Sequence, residues 1–283
     1  MSSVTSLRPD VVTTDELIPL DGDATARARI YRGAGHPART PAPLVLHFHA
    51  GAFVAGDLDS GSRVAGLLAE AGAVVVSLDY PLAPARPFPA AIEVGHAALE
   101  WTWRRRLRLA GTASGLWVAG EEAGGNIAAA VALMARDRQH PPLAGQILLS
   151  PMLDTCVATA SLREAQAGPV GCRWADGWHD YLSQPDDALH PYAAPGRAMR
   201  LHDLPPTLLV TAADDPMRDE TLAFAARLRE AGVAVDEATL PGETGWPCAC
   251  MQASTDRPAW AAPLGQHFRR FLSAPAVPVS AHR

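Results

Sequence analysis

Lysine is absent: all 24 basic residues of the 283-residue chain are arginine. That excludes a lysine Schiff base and a lysine general base. Cysteine is scarce, with Cys156, Cys172, Cys248 and Cys250 as the full set and no C-x-x-C spacing among them. No disulfide framework is therefore expected, and free thiols suit a cytoplasmic protein. The pair Cys248-x-Cys250 has no second ligand pair at zinc spacing, so neither metal nor other cofactor is expected. No apolar run reaches bilayer length, and Met1 to Asp10 lacks the apolar stretch of a signal peptide, which argues against a membrane partner. The net charge of −6 and the single short basic run Arg104-Arg105-Arg106-Leu107-Arg108 argue against a nucleic-acid partner.

What is present is apolar bulk. With 48% hydrophobic residues the chain can bury a large core, and we read 1–283 as one α/β domain. The alternation at 26–31 predicts a half-exposed strand, and a Pro/Gly-rich loop follows. Apolar runs predict strands at 44–48, 74–78, 116–119, 146–149, 207–211 and 233–239. Between and after them, helical patterns fall at 62–71, 90–108, 126–138, 217–231 and 260–272. Repeated βα units give a mostly parallel sheet with helices on both faces and function at the carboxyl ends of its strands. Periodicity fails from about 156 to 200, where Trp174, Trp178, His179, Tyr181, His190 and Tyr192 lie among Gly and Pro. Such an insertion reads as a lid, its aromatics forming either a small core of their own or the wall of an apolar ligand pocket.

The most informative stretch is Gly120-Glu121-Glu122-Ala123-Gly124-Gly125, between the apolar run Leu116 to Ala119 and an alanine-rich helix. Small residues here let a strand reverse sharply into a helix and hold the central side chain up in a strained position, as in a G-x-S-x-G nucleophile elbow. The central residue is Glu122.

Several further motifs occur in order: His49-Ala50-Gly51-Ala52-Phe53, Asp79-Tyr80-Pro81-Leu82-Ala83-Pro84, Pro87-Phe88-Pro89-Ala90-Ala91, Leu204-Pro205-Pro206 and Asp215-Pro216-Met217-Arg218-Asp219-Glu220. Together with the elbow they resemble the hormone-sensitive-lipase-like branch of the α/β-hydrolase fold, the bacterial esterases and acetyl hydrolases, from about Asp21 to Phe271. The resemblance implies an α/β-hydrolase fold with an oxyanion loop at 49–53. It places Glu122 where the family carries its nucleophilic serine, Asp215 where it carries the triad aspartate, and Gly245 where it carries the histidine.

That pattern leads to the expectation of a lost catalytic triad and no appreciable hydrolysis of short p-nitrophenyl esters, since serine acyl transfer needs a hydroxyl and an imidazole. The expected donors to any oxyanion are the amides of Gly51, Ala52 and Ala123, with Glu122 as their nearest acceptor. Glu122 and Asp215 are expected to share the pocket as a coupled base and acid, with Glu243 as a third carboxylate. Expected around them are His49, Phe53, Tyr80, Trp174, Trp178, Tyr181 and Trp246. His47-x-His49 puts two imidazoles on one strand face, and Glu121 reads as an ordinary elbow residue.

The function expected on this reading is non-hydrolytic proton transfer on an apolar small molecule: a dehydration, isomerisation or cyclisation in natural-product biosynthesis. Two alternatives stay open. One is a pseudo-esterase that only binds a small ligand, on the pattern of the gibberellin receptor. The other is an atypical hydrolase using Glu122 as nucleophile or as base for water. A homodimer is compatible with either.

Overall fold

The computed structural model describes residues 5–8, 10–20, 22, 24–34, 41–111, 115–156, 158–164, 172–252 and 256–273. The first strands are β1 (Thr5–Arg8), β2 (Val11–Pro19) and β3 (Thr25–Gly33). The chain continues through β4 (Leu44–Phe48), α1 (Ser62–Glu70), β5 (Val74–Leu78), α2 (Ala90–Arg104), α3 (Arg106–Ala110), β6 (Leu116–Glu121) and α4 (Ala123–Asp137). Then follow β7 (Gly145–Leu149), α5 (Ala160–Glu164), α6 (Arg173–Tyr181), β8 (Thr207–Ala212), α7 (Arg218–Glu230), β9 (Val235–Leu240) and α8 (Ala261–Ser273).

The strands form one sheet in the order β1-β2-β3-β5-β4-β6-β7-β8-β9. β1, β2, β3 and β5 pair antiparallel, and from β5 through β9 all pairings are parallel. The expected α/β fold is present. The central strands read as continuous apolar runs because both faces are covered. Leu46, Phe48, Val76, Val118 and Leu148 point into the core shared with α2, α4 and α7. Val45, Val75, Trp117, Ile147 and Val210 point the other way, onto α1 and α8.

Two expectations need correction. The single helix expected over 90–108 is two, broken at Arg105, whose φ of −98° and ψ of 3° leave the helical region. The guanidiniums of Arg105 and Arg106 lie over the rings of Trp101 and Trp103, 4.6 and 3.9 Å from their centroids. The basic run thus wraps its own aromatics as well as facing solvent. The antiparallel β1 and β2 were not anticipated. Residues 156–200 do carry order: α5, α6 and short 3₁₀ turns at Pro185–Leu189 and Pro195–Arg197. Residues 157 and 165–171 of that segment, and 35–40 of the expected Pro/Gly loop, lie outside the described residues.

Candidate active site

β6 runs into α4 through Glu122, whose φ of 54° and ψ of −116° put a non-glycine residue in a sparsely populated region. The turn is tight enough to demand glycine on both sides. A Cβ on Gly120 would lie 2.1 Å from the Gly124 carbonyl oxygen, and one on Gly124 would lie 2.1 Å from that of Phe48. The second contact fixes the elbow against the end of β4, where the loop 49–53 begins. That loop is strained as well: Ala52 and Phe53 have φ of 49° and 67°, while Ala50 is not among the positive-φ residues.

Glu122 is fully buried. Its Oε2 accepts hydrogen bonds from the backbone amides of Gly51 at 2.6 Å and Ala52 at 2.7 Å. Its Oε1 accepts from the indole N–H of Trp174 at 2.7 Å and from the guanidinium of Arg173. The carboxylate therefore fills the anion-binding loop, and both of its oxygens are satisfied. Ala123, expected as a third backbone donor, is buried at the start of α4 and makes no bond to this carboxylate among the described residues.

Arg173 and Trp174 come from the first turn of α6, which lies across the loop. Gly177 permits that approach, since a Cβ there would come within 2.2 Å of the Ala52 carbonyl oxygen. Beyond it the ring of Tyr181 stacks on Phe53 at 3.9 Å, and Trp178 meets Phe53 at 4.9 Å. The Tyr181 hydroxyl is buried without a hydrogen-bond partner among the described residues. Phe53, Trp178 and Tyr181 are thus in mutual ring contact, while Trp174 is engaged with Glu122. His179, in contrast, is exposed.

Asp215 does not join Glu122. It is held by the hydroxyls of Ser150 at 2.5 Å and Thr211, and by the amide of Met217 at 2.9 Å. Burial raises its pKa, against those three bonds. No hydrogen bond links the two carboxylates, so the expected coupled pair is corrected. Glu243 is exposed, and its loop is tied elsewhere: Asp214 accepts from the amides of Thr244 and Gly245 at 2.7 and 2.8 Å. Trp246 packs edge-on against Trp260 at 5.4 Å, in the core on the α1/α8 face of the sheet rather than beside Phe53.

His49 and Tyr80 shape the loop. The Nδ1–H of His49 donates to the Ala50 carbonyl at 2.8 Å, its ring stacks on Tyr80 at 4.3 Å, and the Tyr80 hydroxyl donates to the His49 carbonyl at 2.7 Å. Burial pulls the His49 pKa down to about 4, so the ring is neutral near pH 7. His47, two residues earlier and likewise beside Gly61, has other partners. Its Nε2 lies 2.8 Å from a carboxylate oxygen of Glu121 and its Nδ1 lies 3.0 Å from the Ser77 hydroxyl, all three side chains buried. Glu121 is thus no ordinary elbow residue. Burial raises its pKa, opposed by His47 and the Ala50 backbone. No group of three or more His, Cys, Asp or Glu side chains among the described residues is placed to hold a metal ion.

A family model described as the α/β-hydrolase fold matches residues 45–245. Esterase LipI of Mycobacterium tuberculosis is 37% identical over 240 residues, covering 81% of this chain and 73% of its own. Carboxylesterase NlhH of the same organism is 36% identical over 242 residues, covering 83% and 75%. The crystal structure of a thermostable esterase from Pseudomonas putida superposes with a TM-score of 0.82 at 28% identity, covering 96% of this chain and 86% of that one. These relatives overturn the expectation of dehydratase, isomerase or cyclase chemistry in biosynthesis. The expectations of a lost catalytic triad and of no ester hydrolysis fall with it, because the names carried by these similar chains are those of ester hydrolases. No helix among the described residues is long and apolar enough to cross a membrane.

Proposed function

The chain belongs to the α/β-hydrolase family, and from that premise we propose that it hydrolyses small carboxylic esters at the elbow, with Glu122 as the base that activates water. The relatives' esterase names support the reaction class, and one geometric observation carries the residue assignment: a Glu122 oxygen lies 2.6 and 2.7 Å from the Gly51 and Ala52 amides. A base held there stands beside the donors that would stabilise a developing oxyanion.

For turnover the carboxylate withdraws from the loop amides and the ester carbonyl oxygen takes its place. Water attacks the acyl carbon, its proton passes to Glu122, and the tetrahedral oxyanion accepts from Gly51 and Ala52. Collapse breaks the bond to the alkoxide, which receives the proton from Glu122, so that ester and water leave as acid and alcohol. Residues 156–200 serve as the lid of a single domain, and Phe53, Trp178 and Tyr181 offer an apolar wall to the ester. The free thiols Cys156, Cys172, Cys248 and Cys250 support a cytoplasmic location.

The test is turnover of p-nitrophenyl acetate and butyrate by the full chain and by Glu122→Gln. Loss of a general base should lower the rate by roughly 10² to 10⁴. Wild-type turnover in the variant would remove Glu122 from the reaction, and an inert wild-type chain would overturn the reading.

A further inference from the structure

Four donors converge on one carboxylate: the amides of Gly51 and Ala52 on one oxygen, the Trp174 indole and the Arg173 guanidinium on the other. The donors come from two separate elements, the loop after β4 and the first turn of α6, and each carboxylate oxygen is served by both members of one pair. Glu122, Ala52 and Trp174 are all buried, while the half-exposed Arg173 brings positive charge to the site. An arrangement that serves both oxygens of a planar anion suits a carboxylate, and Glu122 is its intramolecular occupant.

We propose that Gly51, Ala52, Arg173 and Trp174 form a recognition site for a small free carboxylate, which Glu122 fills when no ligand is bound. The site deepens the hydrolase reading and rests on it for its consequence: ester hydrolysis yields a carboxylic acid, and the acid half of the substrate would leave its carboxylate on these four donors. It names the acid half as the part recognised, and it makes the product a competitor of Glu122.

The chemistry sets its own test. Glu122→Ala removes a CH₂–COO⁻ unit, the bulk of one acetate ion, and Glu122→Gly removes that of one propionate. Alanine keeps the Cβ that glutamate already holds at φ 54°, and glycine relieves that strain. Acetate should bind Glu122→Ala and raise its melting temperature at concentrations well below those that shift wild type, where it must displace Glu122, with acetamide and equimolar chloride as controls. Propionate should be preferred by Glu122→Gly. Adding Arg173→Gln to Glu122→Ala should weaken acetate by roughly 10- to 100-fold, the worth of a charge-assisted hydrogen bond. If Glu122→Ala is unfolded without ligand, the same titration is read as recovery of far-UV ellipticity. Equal effects of acetate and acetamide, or acetate binding indifferent to Arg173, would overturn the site. Acetate binding does not depend on turnover, so failure of ester hydrolysis in wild type and failure of this site are separate results.

Discussion

The guanidinium of Arg173 and the carboxylate of Glu122 join α6 to the elbow across 51 residues of sequence. Glu122 is fully buried while Arg173 is 42% exposed on its side chain, so water screens the pair and limits what it contributes. Replacing Arg173 by Gln should cost about 1–2 kcal/mol in urea unfolding. The larger effect should be local, since Trp174 and the aromatic contacts then hold α6 without the charge. Limited proteolysis between 172 and 184 should speed up well before global stability falls. An unchanged cleavage rate would show that the ion pair does not restrain the helix.

Gly177 sets how closely α6 can lie on the oxyanion loop. Alanine there places a methyl carbon 2.2 Å from the Ala52 carbonyl oxygen, a backbone atom that no rotamer change can move aside. Helix and loop must separate, at about 1–3 kcal/mol for overpacking. Because Ala52 donates to Glu122, the displacement also disturbs the carboxylate. Gly177→Ala should therefore lose both thermal stability and activity, whereas Ala175→Gly, at a neighbouring α6 position, should cost only about 1 kcal/mol of helix propensity. Equal behaviour of the two would contradict the close packing.

His47 and Glu121 lie side by side because β4 and β6 pair in parallel with His47 opposite Ala119, and Glu121, two residues on, faces the same side. Both are fully buried. Removing one partner leaves a buried polar or charged group without its complement, so His47→Ala or Glu121→Ala should each cost about 3–5 kcal/mol. The double variant should cost less than the sum of the two. Strict additivity in denaturant unfolding would mean that the contact contributes nothing.

The elbow and its loop were legible in the sequence because glycine spacing reports backbone geometry directly. Gly120 and Gly124 must be glycine for the chain to turn, and Gly51 with Ala52 followed from the family pattern. Asp215 was legible as a position and less so as a partner: of its hydroxyl donors, Thr211 lies four residues back on β8, but Ser150 follows β7, 65 residues away, and nothing local marks it. The same holds for Arg173. It lies where periodicity fails, and only the fold brings it to Glu122, whereas neighbouring Trp174 could be suspected from its aromatic character. The His47–Glu121 pair had a readable signal, since both sit on interior faces of adjacent parallel strands. Using it required the strand order, which places β4 between β5 and β6.

Glu220 links folding to pH at the segment that leads into residues 156–200. Its carboxyl, in the first turn of α7, accepts from the amides of Leu153 and Asp154, both at 3.0 Å. Burial pushes its pKa from an ordinary 4.5 up to about 8. Between those values the unfolded chain has already released this proton while the folded chain retains it. The contribution to stability is therefore fully present below pH 4.5 and is lost as pH rises toward 8. His49 works in the opposite direction and lower down, its pKa drawn from 6.5 to about 4, so above pH 6.5 it no longer changes the balance. Glutamine at 220 keeps an oxygen for the two amides and cannot ionise. The side chain is only partly buried, and water keeps the expected effect small. The stability of Glu220→Gln relative to wild type should rise by about 1–2 kcal/mol between pH 5 and pH 9. Urea midpoints measured across that range check it, and parallel curves for the two proteins would show that Glu220 titrates alike folded and unfolded.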